Sequence, residues 1–230
     1  MTEREASAGA KVVLWSEGNA LVLQEDEEAL IEAGRRLAEQ RQIHLFMSLA
    51  TVRPGQTLVE NKSVGIDPSG RVVGRYLKSH PTPVEESVPG TGPVPVVESH
   101  MGRMGWAICY DYDYPDLIRQ AGRAGIDILL NPSWDSPSMS PLHTHMAVYR
   151  AIENGAAMVR QTNDGLSLAV DSQGHVLAAM DHHTTPGTEK VMISYVPRKG
   201  TRTIYSRFGD GLVWLSAAGL LFLVAVAWRR

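Results

Sequence analysis

From Gly211 to Trp228 the chain runs GLVWLSAAGLLFLVAVAW, a stretch without a single charge, and Arg229-Arg230 follow at once. At about 1.5 Å of helical rise per residue it reaches roughly 27 Å, the thickness of a bilayer core. A run of this kind has two stable fates, a membrane span or a helix buried in a protein core. Trp214 and Trp228 near its ends, with the arginine pair behind them, favour the span. The rest reads as an ordinary globular chain: 230 residues, 43% hydrophobic, 22 Lys+Arg against 25 Asp+Glu. The resulting charge of −3 gives no nucleic-acid footprint.

Ahead of the tail, strand and helix patterns interleave, which is the signature of a layered α/β or α+β domain. Residues 1–10 form a polar leader with no apolar core of a secretory signal. Strands are expected at 11–15, 43–52, 104–109, 126–131, 157–162, 166–171 and 190–196. Residues 61–67 and 71–77 alternate around Pro68-Ser69-Gly70, a hairpin signal. Helices are expected at 26–42, with Leu30, Gly34, Leu37 and Arg41 in line, at 115–124, and at 141–157. In the last of these, Leu142, Met146, Tyr149, Ile152 and Ala156 form the apolar line. The Pro/Gly-rich stretch 81–95 is loop. The division is therefore leader 1–10, catalytic domain 11–200, juxtamembrane linker 201–210 and transmembrane helix 211–228.

Only one cysteine is present, Cys109, so disulfides and metal sites built on two or more thiolates are excluded. Cys109 ends an apolar strand about six residues before a helix, where a thiolate is favoured. Glu17 stands just past another strand end in Trp15-Ser16-Glu17-Gly18, and Lys78 follows the second hairpin strand. Glu as base, Lys as cation for a developing oxyanion and Cys as nucleophile make a complete acyl-transfer set. Taken singly, a lone Cys after a strand is more often structural, and a loop Glu or Lys is more often solvated surface. Trp134 follows a strand end beside Cys109, where lining an acyl site and packing are equally open. His143 and His145 point apart on a helix and His182-His183 sit in a polar loop, so no metal and no cofactor is expected. Arg150 and Glu153 read as a packing pair.

The strings WSEG, NKSVGIDPSGRVVGRYLKSH, GWAICYDYDYPDL and RAIENGAAMVRQTNDGLSLAVDSQGHVLA occur in order between residues 11 and 196. Together they resemble the nitrilase (carbon–nitrogen hydrolase) superfamily. The resemblance implies an α-β-β-α sandwich, here lacking its first strand and helix, with Glu17, Lys78 and Cys109 as catalytic residues. Glu86 before Val88-Pro89, and TIYSRFGD leading into the apolar span, resemble the apolipoprotein N-acyltransferase branch. That branch implies acyl transfer through a Cys109 thioester, from a phospholipid donor to the N-terminal amine of a lipoprotein. In it Lys78 and the Tyr110 N–H hold the oxyanion, Glu86 assists as a fourth catalytic residue, and Asp111 shapes the turn. The alternatives are an amidohydrolase with water as acceptor, and an inactive membrane-tethered fragment. Arg198, Lys199, Arg202 and Arg207 outnumber Arg229-Arg230 and favour a cytoplasmic domain by the positive-inside count. The resemblance instead implies an inner-membrane protein with its catalytic domain outside the cytoplasm, and a longer parent protein. The expectation follows the resemblance.

Overall fold

The computed structural model describes residues 1–229. Two sheets lie face to face with helices outside each. In the first, β1 (Val12–Leu14) and β2 (Ala20–Leu23) both pair in parallel with β3 (His44–Val52), which pairs antiparallel with β4 (Glu60–Ile66) and then β5 (Val72–Leu77). The second runs β11 (Val176–Asp181), β10 (Leu166–Val170), β9 (Ala157–Asn163), β8 (Ile128–Trp134), β7 (Gly102–Trp106), β6 (Val96–Ser99). Here β7, β8 and β9 are parallel, so their carboxyl ends share one edge.

Alternation along β3 sorts the layers. Leu45, Met47 and Leu49 pack with Val64, Ile66 and the α2 (Gln24–Arg41) residues Ile31 and Ala38 in one core. Phe46 faces the other way and joins a core with Tyr76, Trp106, Ile128 and Leu130 that extends to α3 (Pro115–Arg123) and α4 (Ser140–Asn154). The order is thus α2, first sheet, second sheet, α3 with α4, the expected α-β-β-α sandwich. Trp106 crosses between the sheets and lies flush on two glycines. A Cβ at Gly65 would stand 2.9 Å from its ring and one at Gly74 2.8 Å.

The hairpin forms where the sequence places it. Asp67 Oδ1 accepts from Ser69 N (2.9 Å) and Arg71 N (3.1 Å), and Gly70 takes the positive φ of 74° that closes the turn. Both helix faces differ from expectation. On α2 the buried line is Glu27, Ile31, Gly34 and Ala38, one turn-position off the expected one. Glu27 is drawn inward because Lys62 Nζ (2.7 Å) and Thr51 Oγ1 (2.8 Å) bind its carboxylate. On α4 the apolar residues Leu142, Tyr149 and Ile152 are exposed, while His143, Ala147, Arg150 and Ala151 are buried. Buried polar groups with partners inside the domain override the apolar stripe there. Arg150 pairs with Glu153 at 3.0 Å, a packing pair as expected.

No strand forms at 190–196, where Ile193 and Tyr195 lie exposed; the sheet's last strand is β11, and β2 and β6 are likewise additions. Within the polar leader, Thr2–Ser7 form α1, with Ala6 buried and Thr2 Oγ1 accepting from Trp15 Nε1 at 2.9 Å. Residues 201–210 are docked rather than free. Thr203 caps α5 (Ile204–Phe208), and Ser206 sits against Gly122 of α3. The final helix, α6 (Gly211–Trp228), has none of its residues buried against the domain and is long and apolar enough to cross a membrane.

Gly74→Ala forces a methyl into the Trp106 ring. Overpacking of this kind costs about 1–3 kcal/mol, so the urea midpoint of the variant is expected to fall. A midpoint equal to wild type would show that the two sheets are not in register at Trp106.

Candidate active site

Each sheet delivers part of one site. From the first, Glu17 lies in the turn between β1 and β2, where Gly18 takes φ 58°. Its Oε1 accepts from Lys78 Nζ (2.6 Å) and Asn61 Nδ2 (2.7 Å), and its Oε2 accepts from the Trp134 backbone N (2.8 Å). Lys78 directly follows β5, and its N donates to Asn61 O across the hairpin at 2.9 Å, so strand register sets both donors beside Glu17. Lys78 is 1% exposed. Its ammonium also meets Glu85 Oε2 at 2.5 Å.

From the second sheet, β7 continues through Ala107-Ile108 to Cys109, which opens a short 3₁₀ turn, Cys109–Asp113. Cys109 sits at φ 44°, a left-handed conformation that a side-chain-bearing residue rarely adopts and that marks strain held at a site. Asn131 Oδ1 accepts its N–H at 3.0 Å. Its Sγ lies 3.5 Å from Trp134 O and 3.9 Å from Asp135 Oδ1. Asp111 holds this turn to the first sheet: it accepts from Tyr76 Oη (2.8 Å), Ile108 N (3.1 Å) and His80 N (2.8 Å).

Electrostatics follow from burial and pairing. Burial pushes the Cys109 thiol far above its ordinary range and Glu17 adds to this, with Arg160 and Lys78 opposing. Cys109 therefore rests as a thiol. Burial works against the charge on Lys78, but Glu17 and Glu85 outweigh it and hold the ammonium above its usual value. For Glu85 burial is again opposed, here by Lys78, Asn61 and Ser87, which hold its carboxyl low.

A cavity of about 460 Å³ opens onto Cys109, with Val84, Tyr110, Trp134, Asp135, Met139 and His143 among its walls. Trp134 is 56% exposed at this rim. Of the residues expected from sequence, Glu17, Lys78 and Cys109 meet, and Tyr110 and Trp134 line the cavity. Asp111 lies behind the turn, outside the cavity wall. Glu86 is corrected: its side chain is exposed, and its backbone O accepts from Val59 N at 2.9 Å. That pairing, in a segment bridged by Val59 and Ser87, turns the preceding residue inward, so Glu85 occupies the place beside Lys78. Sequence reading also passes over Asn61, Asn131, Asp135, His143 and Arg160. Arg160 is the one with a signal, a charge in the middle of the apolar strand AMVRQTN. It is fully buried, donates to Asp135 Oδ2 at 2.7 Å and also bonds Ser133.

The carbon-nitrogen hydrolase family model matches residues 2–204. The chain belongs to this family. Among its relatives, the apolipoprotein N-acyltransferase of Geobacter metallireducens is 28% identical over 257 residues, covering 100% of this chain and 48% of its own length. The enzyme of that name from Haemophilus influenzae is 39% identical over 123 residues, covering 51% of this chain and 22% of its own. The chain thus spans about half the length of the curated relative it matches from end to end. An amidase from Nesterenkonia sp. shares the fold with a TM-score of 0.74 at 22% identity, over 94% of this chain and 86% of that one.

Asp135 and Glu85 are held below their ordinary carboxyl values, Asp135 by His143 and Arg160 against the opposing effect of burial. Groups shifted down add stability above their unfolded-chain values, and this is lost as pH falls through the folded ones, below about pH 4. Asp135→Asn leaves Arg160 buried and unpaired, at a cost of about 3 kcal/mol at pH 7. Urea titrations of both proteins from pH 7 to pH 3 are expected to show this gap narrowing as wild-type Asp135 protonates. A gap independent of pH would show that Asp135 is not ionised in the fold.

Proposed function

We propose that this chain is the catalytic part of an acyltransferase that moves a fatty acyl group from a phospholipid to the N-terminal amine of a lipoprotein. One observation carries the reading. The lone thiol sits at a strained turn against a buried Glu17–Lys78 pair, at the base of a cavity with an exposed, largely apolar rim. Acyltransferase relatives matching the chain from end to end add support.

In the first half-reaction Glu17 takes the Cys109 proton as Sγ attacks the ester carbonyl. Because burial keeps the thiol protonated, transfer and attack are coupled. Lys78 and the Tyr110 backbone N–H stabilise the oxyanion. Collapse breaks the ester C–O bond, and Glu17 returns the proton to the departing lysophospholipid oxygen, leaving a thioester. In the second half the acceptor amine attacks the thioester while Glu17 removes its proton, and Cys109 departs and is reprotonated. Glu85 fixes the Lys78 ammonium opposite Glu17. The exposed α6 spans the inner membrane and keeps the cavity near lipid, with the domain outside the cytoplasm. No cofactor takes part.

A second reading, hydrolysis of small amides with water as acceptor, is favoured by the amidase likeness of the fold. In a mutant of the amidase from Nesterenkonia sp. AN1, the acetamide moiety of fluoroacetamide is covalently added at the active site cysteine. Both readings are tested by incubating the full chain in phospholipid vesicles with a diacylglyceryl lipopeptide bearing a free amine. Mass spectrometry is expected to show the lipopeptide gaining one acyl chain, and Glu17→Gln or Lys78→Met to slow this by at least about a hundredfold. Release of ammonia from short amides, with the lipopeptide unchanged, would replace acyl transfer with hydrolysis.

A further inference from the structure

Cys109 has a second set of neighbours on the side of the cavity away from Glu17. Asp135 follows β8 and His143 lies in the first turn of α4; both are buried. One ligand atom from each of Cys109, Asp135 and His143 lies within 4.8 Å of the other two. Asp135 Oδ1 is 3.9 Å from Cys109 Sγ and 3.3 Å from His143 Nδ1. The set of thiolate, imidazole and carboxylate is that of zinc-class cations, which bind sulfur at about 2.3 Å and nitrogen or oxygen at about 2.0–2.2 Å. Tetrahedral ligands at those lengths stand roughly 3.3–3.6 Å apart, so closing this trio asks for shifts of a few tenths of an ångström to about one ångström.

We infer that Cys109, Asp135 and His143 form an inhibitory site for a zinc-class divalent cation, which binds the nucleophile reversibly and removes it from reaction. The surroundings are built for this. Arg160 holds Asp135 through Oδ2 and leaves Oδ1 turned to the cavity. His143 Nε2 faces Asp113 Oδ2 at 3.7 Å, placing a carboxylate behind the imidazole as outer partners of zinc-bound histidines are placed. The same three residues line the open cavity, which gives the ion a path and leaves water as the fourth ligand. On binding, the Sγ–H proton leaves to Glu17 and then to solvent, and the sulfur–metal bond replaces it; no electron changes hands. Sequence spacing does not show the site, because His143 and His145 diverge on α4, Asp135 lies in the loop just before that helix, and Cys109 comes from the end of another strand.

Because Cys109 is the only thiol, the test needs no activity and stands apart from the acyl-transfer reading. The full chain in detergent is alkylated with iodoacetamide, and the rate is read by intact mass with Zn²⁺, with Mg²⁺, and with Zn²⁺ followed by chelator. Zn²⁺ is expected to protect Cys109, chelator to restore labelling, and Mg²⁺ to have no effect. His143→Gln should raise the Zn²⁺ needed for protection by at least about tenfold, as should Asp113→Asn. Co²⁺ is expected to give a sulfur-to-metal charge-transfer band that Cys109→Ser lacks. Labelling unaffected by Zn²⁺, protection unchanged in His143→Gln, or a Co²⁺ complex without that band would each overturn the site.

Discussion

Everything in this domain turns on one buried ammonium. Lys78 lies almost wholly out of water, where an unpaired charge costs several kcal/mol, and it is tolerable only because Glu17 and Glu85 close on it from two sides. Those carboxylates come from opposite directions in sequence, one from the β1–β2 turn and one from the Pro-rich loop after β5. The ammonium therefore fixes both segments at once. It also faces Cys109, where burial and Glu17 push the thiol up against the opposing pull of Arg160 and Lys78.

The two sheets divide the labour. The first supplies Glu17 and Lys78 through the β1–β2 turn and the β4–β5 hairpin; the second supplies Cys109 and the cavity wall through the carboxyl ends of β7 and β8. Their spacing is set by Trp106 resting on Gly65 and Gly74, and their ends are tied by Asp111 and by the Trp134 N–H on Glu17. Catalytic geometry is thus a property of the inter-sheet packing, not of either sheet alone.

The layered class, the hairpin, the main helices and the meeting of Glu17, Lys78 and Cys109 are legible in the sequence, because each rests on a local pattern: period, turn residues, or a long string around a reactive residue. The parts that escape it are long-range. Glu85 and Glu86 are adjacent, and only the pairing of Val59 with the loop decides which one turns to Lys78. The α4 stripe misleads for a related reason: His143 is buried by Asp113 and Asp135 from other segments and Arg150 by Glu153 one turn along the helix, so burial there follows polar pairing rather than hydrophobicity. Short strands such as β2, with two of its four residues exposed, lack the apolar alternation that would announce them.

The central claim is that Glu17, Lys78 and Cys109 act as one acyl-accepting unit. Its most direct measurement is the mass of the full chain after mixing with phospholipid in the absence of any amine acceptor. The account predicts one added acyl chain, located on the peptide containing Cys109, removed by hydroxylamine as a thioester is, and missing in Glu17→Gln. An unmodified chain, or an acyl group placed elsewhere, would contradict it.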